Sequence, residues 1–359
     1  MRPSTQARIL EISNYPPPRA GWGVRISFVR HYLEARGHQC RVLNVGPSRK
    51  IKHPDYIDVQ SGADFLRKVV RHARDGYTIH THINGDSPKG LALALIAQIV
   101  GRILGRRSVL TFHAGPVQLY FPRERSGRLG PFFHLVFALA DRVICNSDAV
   151  ALGIREYGVP AGKIDAIPAF SRQYLDFQRS SLPGPLEEFL SRHRPVLVSY
   201  FFNRPEFDIG TALDGVAAAA QSLPELGLVL LGADTTDSAI TGMLRDRDLL
   251  ARTCQVGDLP HDEFMTVLSR SHIYVRTPKK DGVCSSVLEA LSLGIPVVAS
   301  ENGTRPLGVV TYPAGDSGAL ATRLSESWTG YEALRKGLAV PEVRDTVAEE
   351  ARLLLQIAL

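Results

Sequence analysis

Asp281 and Glu289 stand eight positions apart in "KKDGVCSSVLEALSLGIPVVAS", residues 279–300. Between them lie a glycine, a cysteine, two serines and a short apolar run. An ionised carboxylate only accepts hydrogen bonds, which suits it to pairs of vicinal hydroxyls. Ser285 and Ser286 fall where a helix is expected to begin, and the free N–H groups of a helix N-terminus hold phosphate. Asp281 then lies in the preceding loop, and Glu289 about one turn into the helix. Two carboxylates flanking an anion-binding helix end fit a ligand with diphosphate in its middle and hydroxyls at both ends. The plainer alternative is an amphipathic helix with two incidental acids. The elements around the stretch have to decide between them.

Those elements alternate. "RILEIS" (8–13) reads as a strand. "VRISFVRHYLEARGH" (24–38) reads as a helix whose apolar face is Val24, Phe28, Tyr32 and Leu33, stopped at Gly37. "CRVLNV", "YTIHTHI", "RSVLTFH" and the end of "HLVFALADRVICNS" give further strands with helices between them. Serines, prolines and a glycine interrupt the pattern over 169–194, and the alternation restarts at "PVLVSYFF" (195–202). Two doubly wound α/β domains in series follow, each with a mostly parallel sheet covered on both faces. The expected boundaries are 1–170, a linker at 171–194, a second domain at 195–335, and a helical segment at 336–359 that can pack back on the first domain. In open α/β sheets ligands bind beyond the carboxyl ends of the strands, so two such domains are expected to face a common cleft.

The loops after the strands carry the other candidates. Gly21, Trp22 and Gly23 precede a helix N-terminus and allow close approach of a ligand, although Ile26 breaks a G-x-G-x-x-G pattern. His80 and His82 are expected on opposite faces of their strand, as poor partners for one metal, with at least one of them structural. His113 ends a strand and is followed by Ala114, Gly115 and Pro116, a place from which it can donate a hydrogen bond to a sugar or phosphate. Arg204, in the loop after 195–202, suits bidentate phosphate binding; its plain alternative is a surface ion pair with Glu206. "VGDLP" brings Asp258 and Leu259 to another strand end. "DRD" at 246–248 resembles a metal-binding pair but falls in the helical run "MLRDRDLL" and reads as a solvated face.

Composition narrows the class. A hydrophobic fraction of 44% and a charged fraction of 22% are those of an ordinary globular protein. The longest apolar run, 90–101, is too short to span a bilayer. The N-terminal stretch has no signal-peptide pattern, and Cys40, Cys145, Cys254 and Cys284 are too scattered for a disulfide frame or zinc knuckle, so a reducing cytoplasm is expected. Charge divides unevenly. Residues 1–190 carry 26 Lys and Arg against 15 Asp and Glu, and residues 191–359 carry 16 against 21. The basic half points to an anionic partner: a membrane surface or a phosphorylated substrate. No basic element reads as a nucleic-acid reader.

Taken in order, these motifs resemble the large glycosyltransferase family 4 of the GT-B fold over essentially the whole chain. "DGVCSSVLEALSLGIPVVAS" is similar to that family's E-x(7)-E motif, "PPPRAGWGVR…LEARGH" to its glycine loop and following helix, and "TFH" to its histidine. The resemblance implies two Rossmann-like domains, a UDP- or GDP-type sugar as co-substrate, no cofactor and no metal, and retention of anomeric configuration. It implies that Glu289 holds ribose hydroxyls, Asp281 the transferred sugar, and backbone N–H groups near Ser285, Ser286 and Val287 the diphosphate. Arg204 would neutralise the leaving diphosphate, Asp258 and Leu259 frame the base, Gly21, Trp22 and Gly23 approach the donor or acceptor, and His113 the donor sugar. The departures are an Ile209-Gly210 where the family has Lys-Gly, an aspartate at position 281, and Arg305 in "ENGTRP". Lys279, Lys280 or Arg305 can replace the lysine. The acceptor is expected to be a glycan or lipid-linked glycan of a cell-surface polysaccharide pathway. "GRILGRR" and "PRERSGR", with Tyr120, Phe121, Phe132 and Phe133, would dock the basic domain on the inner membrane face. The alternatives are a catalytically degenerate nucleotide-binding partner and a sugar-nucleotide epimerase.

Overall fold

Strands of three to six residues, rich in Val, Ile and Leu and separated by helices, are suited to parallel sheets buried on both faces. The computed structural model describes residues 6–16, 22–279 and 284–359. They form two units. One comprises the chain to Gln173 together with Arg344–Leu359, the other Tyr174–Val343. The first unit runs β1 (Arg8–Ser13), α1 (Trp22–Glu34), β2 (Gln39–Asn44), α2 (Gly62–Arg74), β3 (Thr78–Ile83), α3 (Pro88–Ile103), β4 (Ser108–Phe112), α4 (Arg123–Ser126), α5 (Gly130–Leu139), β5 (Arg142–Cys145), α6 (Asp148–Arg155) and β6 (Ile164–Ala166). The second runs α7 (Gly184–Arg192), β7 (Val196–Tyr200), α8 (Ile209–Ser222), β8 (Gly227–Leu231), α9 (Ser238–Arg245), β9 (Thr253–Gly257), α10 (His261–Ser269), β10 (Ile273–Arg276), α11 (Ser285–Ser292), β11 (Val297–Ser300), β12 (Val309–Tyr312), α12 (Ser317–Thr329) and α13 (Tyr331–Lys336). The chain then returns to the first unit as α14 (Thr346–Ala358).

Each unit holds one parallel six-stranded sheet. The strand orders are β2-β1-β3-β4-β5-β6 and β12-β11-β10-β7-β8-β9. The order reverses between β1 and β3 in the first sheet and between β7 and β10 in the second. At such a switch point the connections leave in opposite directions and open a crevice beyond the strand ends. The two doubly wound domains are therefore as expected. Within the first unit, the register sets Glu11 of β1 opposite His80 of β3, and His82 of β3 opposite Thr111 of β4.

Helix α1 departs from its expected face. Its buried residues are Gly23, Arg25, Ile26, Val29 and Leu33, whereas Val24, Phe28 and Tyr32 are only partly covered. The reason is an arginine turned inward. Arg25 is 2% exposed, and its Nη2 lies 2.7 Å from Glu350 Oε2 of α14. Nε also donates to Glu350 (2.8 Å). Nη1 donates to Thr346 Oγ1 (2.7 Å) and to the carbonyl of Ala169 (3.0 Å), and Nη2 to the carbonyl of Thr346 (2.8 Å). All three guanidinium nitrogens are used, which offsets the desolvation that an isolated buried charge would suffer. Around this pair Val29 and Leu33 pack with Val347, Ala351 and Leu354. Asp345 caps α14 by accepting from the N–H of Ala348. Past α1, Gly37 adopts φ 82°, the left-handed conformation that ends a helix at little steric cost for glycine.

The D-R-D segment lies differently from its expected place. Helix α9 stops at Arg245, Asp246 caps it, and Asp248 sits at φ 53° in the turn that follows. Arg247 reaches Asp214 at 2.6 Å, so the segment serves as a surface turn tied to α8. Of the four aromatics expected at a surface, Phe121 and Phe133 are core residues, while Phe132 is exposed.

Removing one partner of a buried, hydrogen-bonded ion pair typically costs about 3–5 kcal/mol. Glu350→Ala is accordingly expected to destabilise the first unit by about that amount, read as a lower denaturant midpoint. An unchanged midpoint would mean that α14 is held by its apolar contacts alone.

Candidate functional site

In the first unit, the chemistry gathers at the β1–β3 switch point. Glu11 is fully buried in the sheet. Residues two apart on a strand share a face, and His80 and His82 both turn to Glu11, which corrects their expected separation. His82 Nε2 lies 2.7 Å and His80 Nδ1 2.8 Å from the same Glu11 Oε2. The far nitrogen of His80 meets Thr111 Oγ1 at 2.8 Å, and the far nitrogen of His82 meets His113 Nε2 at 2.8 Å. The His82 and His113 rings are stacked, and Trp22, the first residue of α1, meets His113 edge-on at 4.5 Å. A continuous polar path thus runs from the middle of β1 to the end of β4. His113 lies beside Trp22, and His82 already occupies its Nε2, so that among the described residues only Nδ1 is without a partner.

The electrostatics follow from burial and pairing. Burial would raise the Glu11 carboxyl, but the charge of His80 and the hydrogen bonds of both histidines outweigh it and hold it at about 2. For His80, burial works downward and Glu11 upward, and Glu11 prevails. His82 is lowered by burial and by the charge on His80. His113 is held well below the ordinary histidine range, by burial first and then by His82, Arg25 and His80. The directions favour an ion pair between Glu11 and His80, with His82 and His113 pushed toward their neutral forms. The ligand atoms of Glu11, His80 and His82 lie within 4.8 Å of one another. His82 Nε2 is hydrogen-bonded to Glu11 Oε2 and His80 Nδ1 meets the same oxygen as an ion pair at 2.8 Å, and a metal ion would need these atoms to part around it.

In the second unit, α11 starts at Ser285 with Cys284 as its N-cap and no side-chain cap. Among the described residues, the N–H groups of Ser285 and Ser286 meet no acceptor, whereas that of Val287 donates to the carbonyl of Cys284 at 3.1 Å. Val287 itself is a core residue, so of the three expected donors two are available. The Ser286 hydroxyl is pinned by Tyr274 at 2.6 Å, and Cys284 Sγ lies 3.1 Å from it. Glu289, one turn on, is 4% exposed, with His261 Nε2 of α10 at 3.6 Å from Oε1. Burial raises its carboxyl, and His261 opposes that shift. Val287, Ala290 and Leu291 pack in the core, as an amphipathic helix requires, and Glu289 is a buried acid beside a histidine.

The remaining candidates are placed as follows. Asp258 follows β9 and accepts from the Tyr200 hydroxyl at 2.8 Å; Leu259 packs at the edge of the core. Arg204 follows β7, is more than half exposed, stands over the Phe202 ring, and lies 3.9 Å from Glu206. Ile209 opens α8 and is buried in the core, so that position contributes no cation. Lys279 lies 3.4 Å from Asp208, and Arg305 donates to the carbonyls of Ser300 (2.9 Å) and Pro278 (3.3 Å), bracing the segments that follow β11 and β10. Gly23 is buried at the start of α1, where a side chain would touch Asn14 and Pro16. Gly21, Lys280 and Asp281 lie outside the described residues. Glu11, His82, His261, Tyr200 and Tyr274 were not anticipated. A lone acid inside an apolar strand, with two histidines at same-face spacing elsewhere, is the signal that could have found the first cluster.

Residues 21–170 match the model of glycosyltransferase family 4, and residues 209–321 that of the glycosyl transferases group 1. No curated protein matches the chain. Several solved structures share its fold across nearly its whole length. Anabaena HepE, solved in complex with UDP and glucose, is 16% identical, with a TM-score of 0.63 over 98% of this chain and 95% of that one. Sucrose-phosphate synthase from Thermosynechococcus elongatus is 20% identical, with a TM-score of 0.63 over 98% and 96%. A glycosyltransferase from Rickettsia africae is 13% identical, with a TM-score of 0.66 over 98% of both chains. The two family matches fall in order on the two units and together cover well over half of the sequence. With two parallel, doubly wound sheets behind them, the chain belongs to the glycosyltransferases of the GT-B fold.

Proposed function

We propose that the protein transfers a sugar from a UDP- or GDP-type donor to a glycan or lipid-linked acceptor, with retention of anomeric configuration and without a metal. The observation that carries the donor half is the start of α11. Two N–H groups on a helix N-terminus that meet no acceptor among the described residues, with a buried carboxylate one turn later, offer diphosphate and hydroxyl recognition side by side. HepE, of the same fold, is solved with UDP and glucose, which favours a uridine nucleotide. In this reading Glu289 accepts from the ribose hydroxyls, with His261 fixing its orientation. Ser285 and Ser286 hold the diphosphate, and Asp258 and Leu259 flank the base. Arg204, exposed and able to turn from Glu206, neutralises the leaving group, with Lys279 as the second cation in place of the missing lysine. Asp281 and His113 serve the transferred sugar. Preorganised N–H dipoles and cations aimed at a developing diphosphate charge are an adequate source of rate without covalent chemistry.

The buried Ile209 favours one other reading, a nucleotide-binding partner without turnover. The two separate in a thermal-shift screen of UDP, GDP and their sugars, followed by product analysis. A cognate donor at about a hundred times its Kd should stabilise the folded chain by about 2.7 kcal/mol. Glu289→Ala should abolish that stabilisation; a full shift in the variant would refute the ribose role. Transfer with the donor's anomeric configuration, read by NMR of the product, supports the enzyme. Binding with no transfer to any glycan or lipid-linked acceptor supports the partner.

The lipid-linked acceptor is supported by the surface of α3 and α5, which pack against each other. Ile96, Ile99, Ile103, Phe132 and Leu135 are exposed there, with Ile103 at 76%. Arg102, Arg107, Arg123, Arg125 and Arg128 lie exposed in the neighbouring sequence. Apolar residues rimmed by arginine fit the interface of an anionic bilayer. Among the described residues no helix is long and apolar enough to cross a membrane. Sedimentation with phosphatidylglycerol-containing vesicles should capture the protein, and phosphatidylcholine alone should not. Ile103→Glu with Phe132→Glu should weaken capture by about tenfold or more. Equal capture of the variant would remove the membrane role.

A further inference from the structure

We propose that Glu11, acting through His82, fixes His113 as the tautomer that carries its proton on Nε2 and presents a bare Nδ1 as a hydrogen-bond acceptor. Glu11 Oε2 can only accept, so His82 Nε2, at 2.7 Å, is the donor. A neutral imidazole with its proton on Nε2 has a lone pair on Nδ1. His113 Nε2, 2.8 Å from that lone pair, must therefore be the next donor. His113 is left with a lone pair on Nδ1, for which no partner is found among the described residues. The reverse arrangement would point a lone pair of His82 at the Glu11 carboxylate across 2.7 Å. His80 steadies the anion from the other side through Nδ1, at 2.8 Å, and is held in turn by Thr111. Trp22 fixes the outer ring edge-on.

Glu11 and His82 are thus positioning residues, and their product is a direction of hydrogen bonding. A histidine that can only accept recognises a group carrying a proton, such as a sugar hydroxyl, and is a poor partner for a fully ionised phosphate oxygen. The assignment of that hydroxyl to the donor sugar rests on the function proposed above; the tautomer does not.

The test is 15N NMR of the histidine rings at about pH 7.5, close to the neutral range of these imidazoles. The expected spectrum has a protonated Nε2 and a bare Nδ1 for both His82 and His113. A proton on His113 Nδ1, or a doubly protonated His113, overturns the proposal. Glu11→Gln, which can donate as well as accept, should release the lock and give mixed tautomers at both rings. An unchanged His113 pattern in that variant overturns it, and the wild-type spectrum decides even if the variant does not fold. Elemental analysis that finds a stoichiometric metal ion also overturns it, since the ion would occupy the lone pairs of Glu11 and His82. By calorimetry, Glu11→Gln should weaken UDP-glucose by about 2–10-fold, the worth of one hydrogen bond, and leave UDP unchanged. Equal weakening of both ligands would mean that Glu11 only supports the fold. Failure of the wild-type chain to bind any nucleotide sugar would instead sink the donor reading, with the tautomer read from its own signals.

Discussion

A carboxylate in the middle of a sheet covered on both faces is the constraint around which the first unit is arranged. Glu11 has no water to turn to, and a buried carboxylate without partners would take up a proton. The partners have to come from the neighbouring strand, and the parallel register puts His80 directly opposite and His82 on the same face two residues on. Those two histidines then need partners of their own. Thr111 satisfies one, and the other carries the chain of hydrogen bonds to the strand end, where His113 meets Trp22. One buried charge thereby fixes the orientation of side chains on three strands and a helix.

The second unit solves a related problem with different means. Its buried acid, Glu289, sits on a helix rather than a strand, and its partner His261 comes from an adjacent helix. Ser285 and Ser286 open the same helix, and Asp258 and Tyr200 bond to each other at the ends of β9 and β7. In the first unit strands hold a proton-sharing path rigidly. In the second, the buried acid lies one turn past a helix start whose first N–H groups meet no acceptor among the described residues. The basic charge of the first half and the acidic charge of the second follow the same division, since exposed arginines crowd the surfaces near α3 and α4.

Periodicity made the architecture legible: short apolar strands alternating with helices require parallel sheets. The start of α11 was legible because the two serines and Glu289 are close in sequence. What was not legible depends on contacts between distant residues. Nothing local to Arg25 says that it turns inward, because Glu350 lies 325 positions away; the helix face was accordingly misjudged by part of a turn. Phe121 and Phe133 looked like surface aromatics beside a basic run, yet both fill the core. The path through Glu11 could have been read. It needed two rules combined, that a charge in a doubly covered strand demands partners and that positions two apart share a face.

The bond between Arg25 and α14 has a consequence for the order in which the chain can be completed during synthesis. Residues 344–359 emerge from the ribosome after the whole of the second unit. Until then Arg25 has neither the carboxylate nor the threonine that hold it in the folded protein, and the apolar face of α1 lacks Val347, Ala351 and Leu354. The first unit to be made is the last to be finished. Through that interval part of the apolar face of α1 stays uncovered.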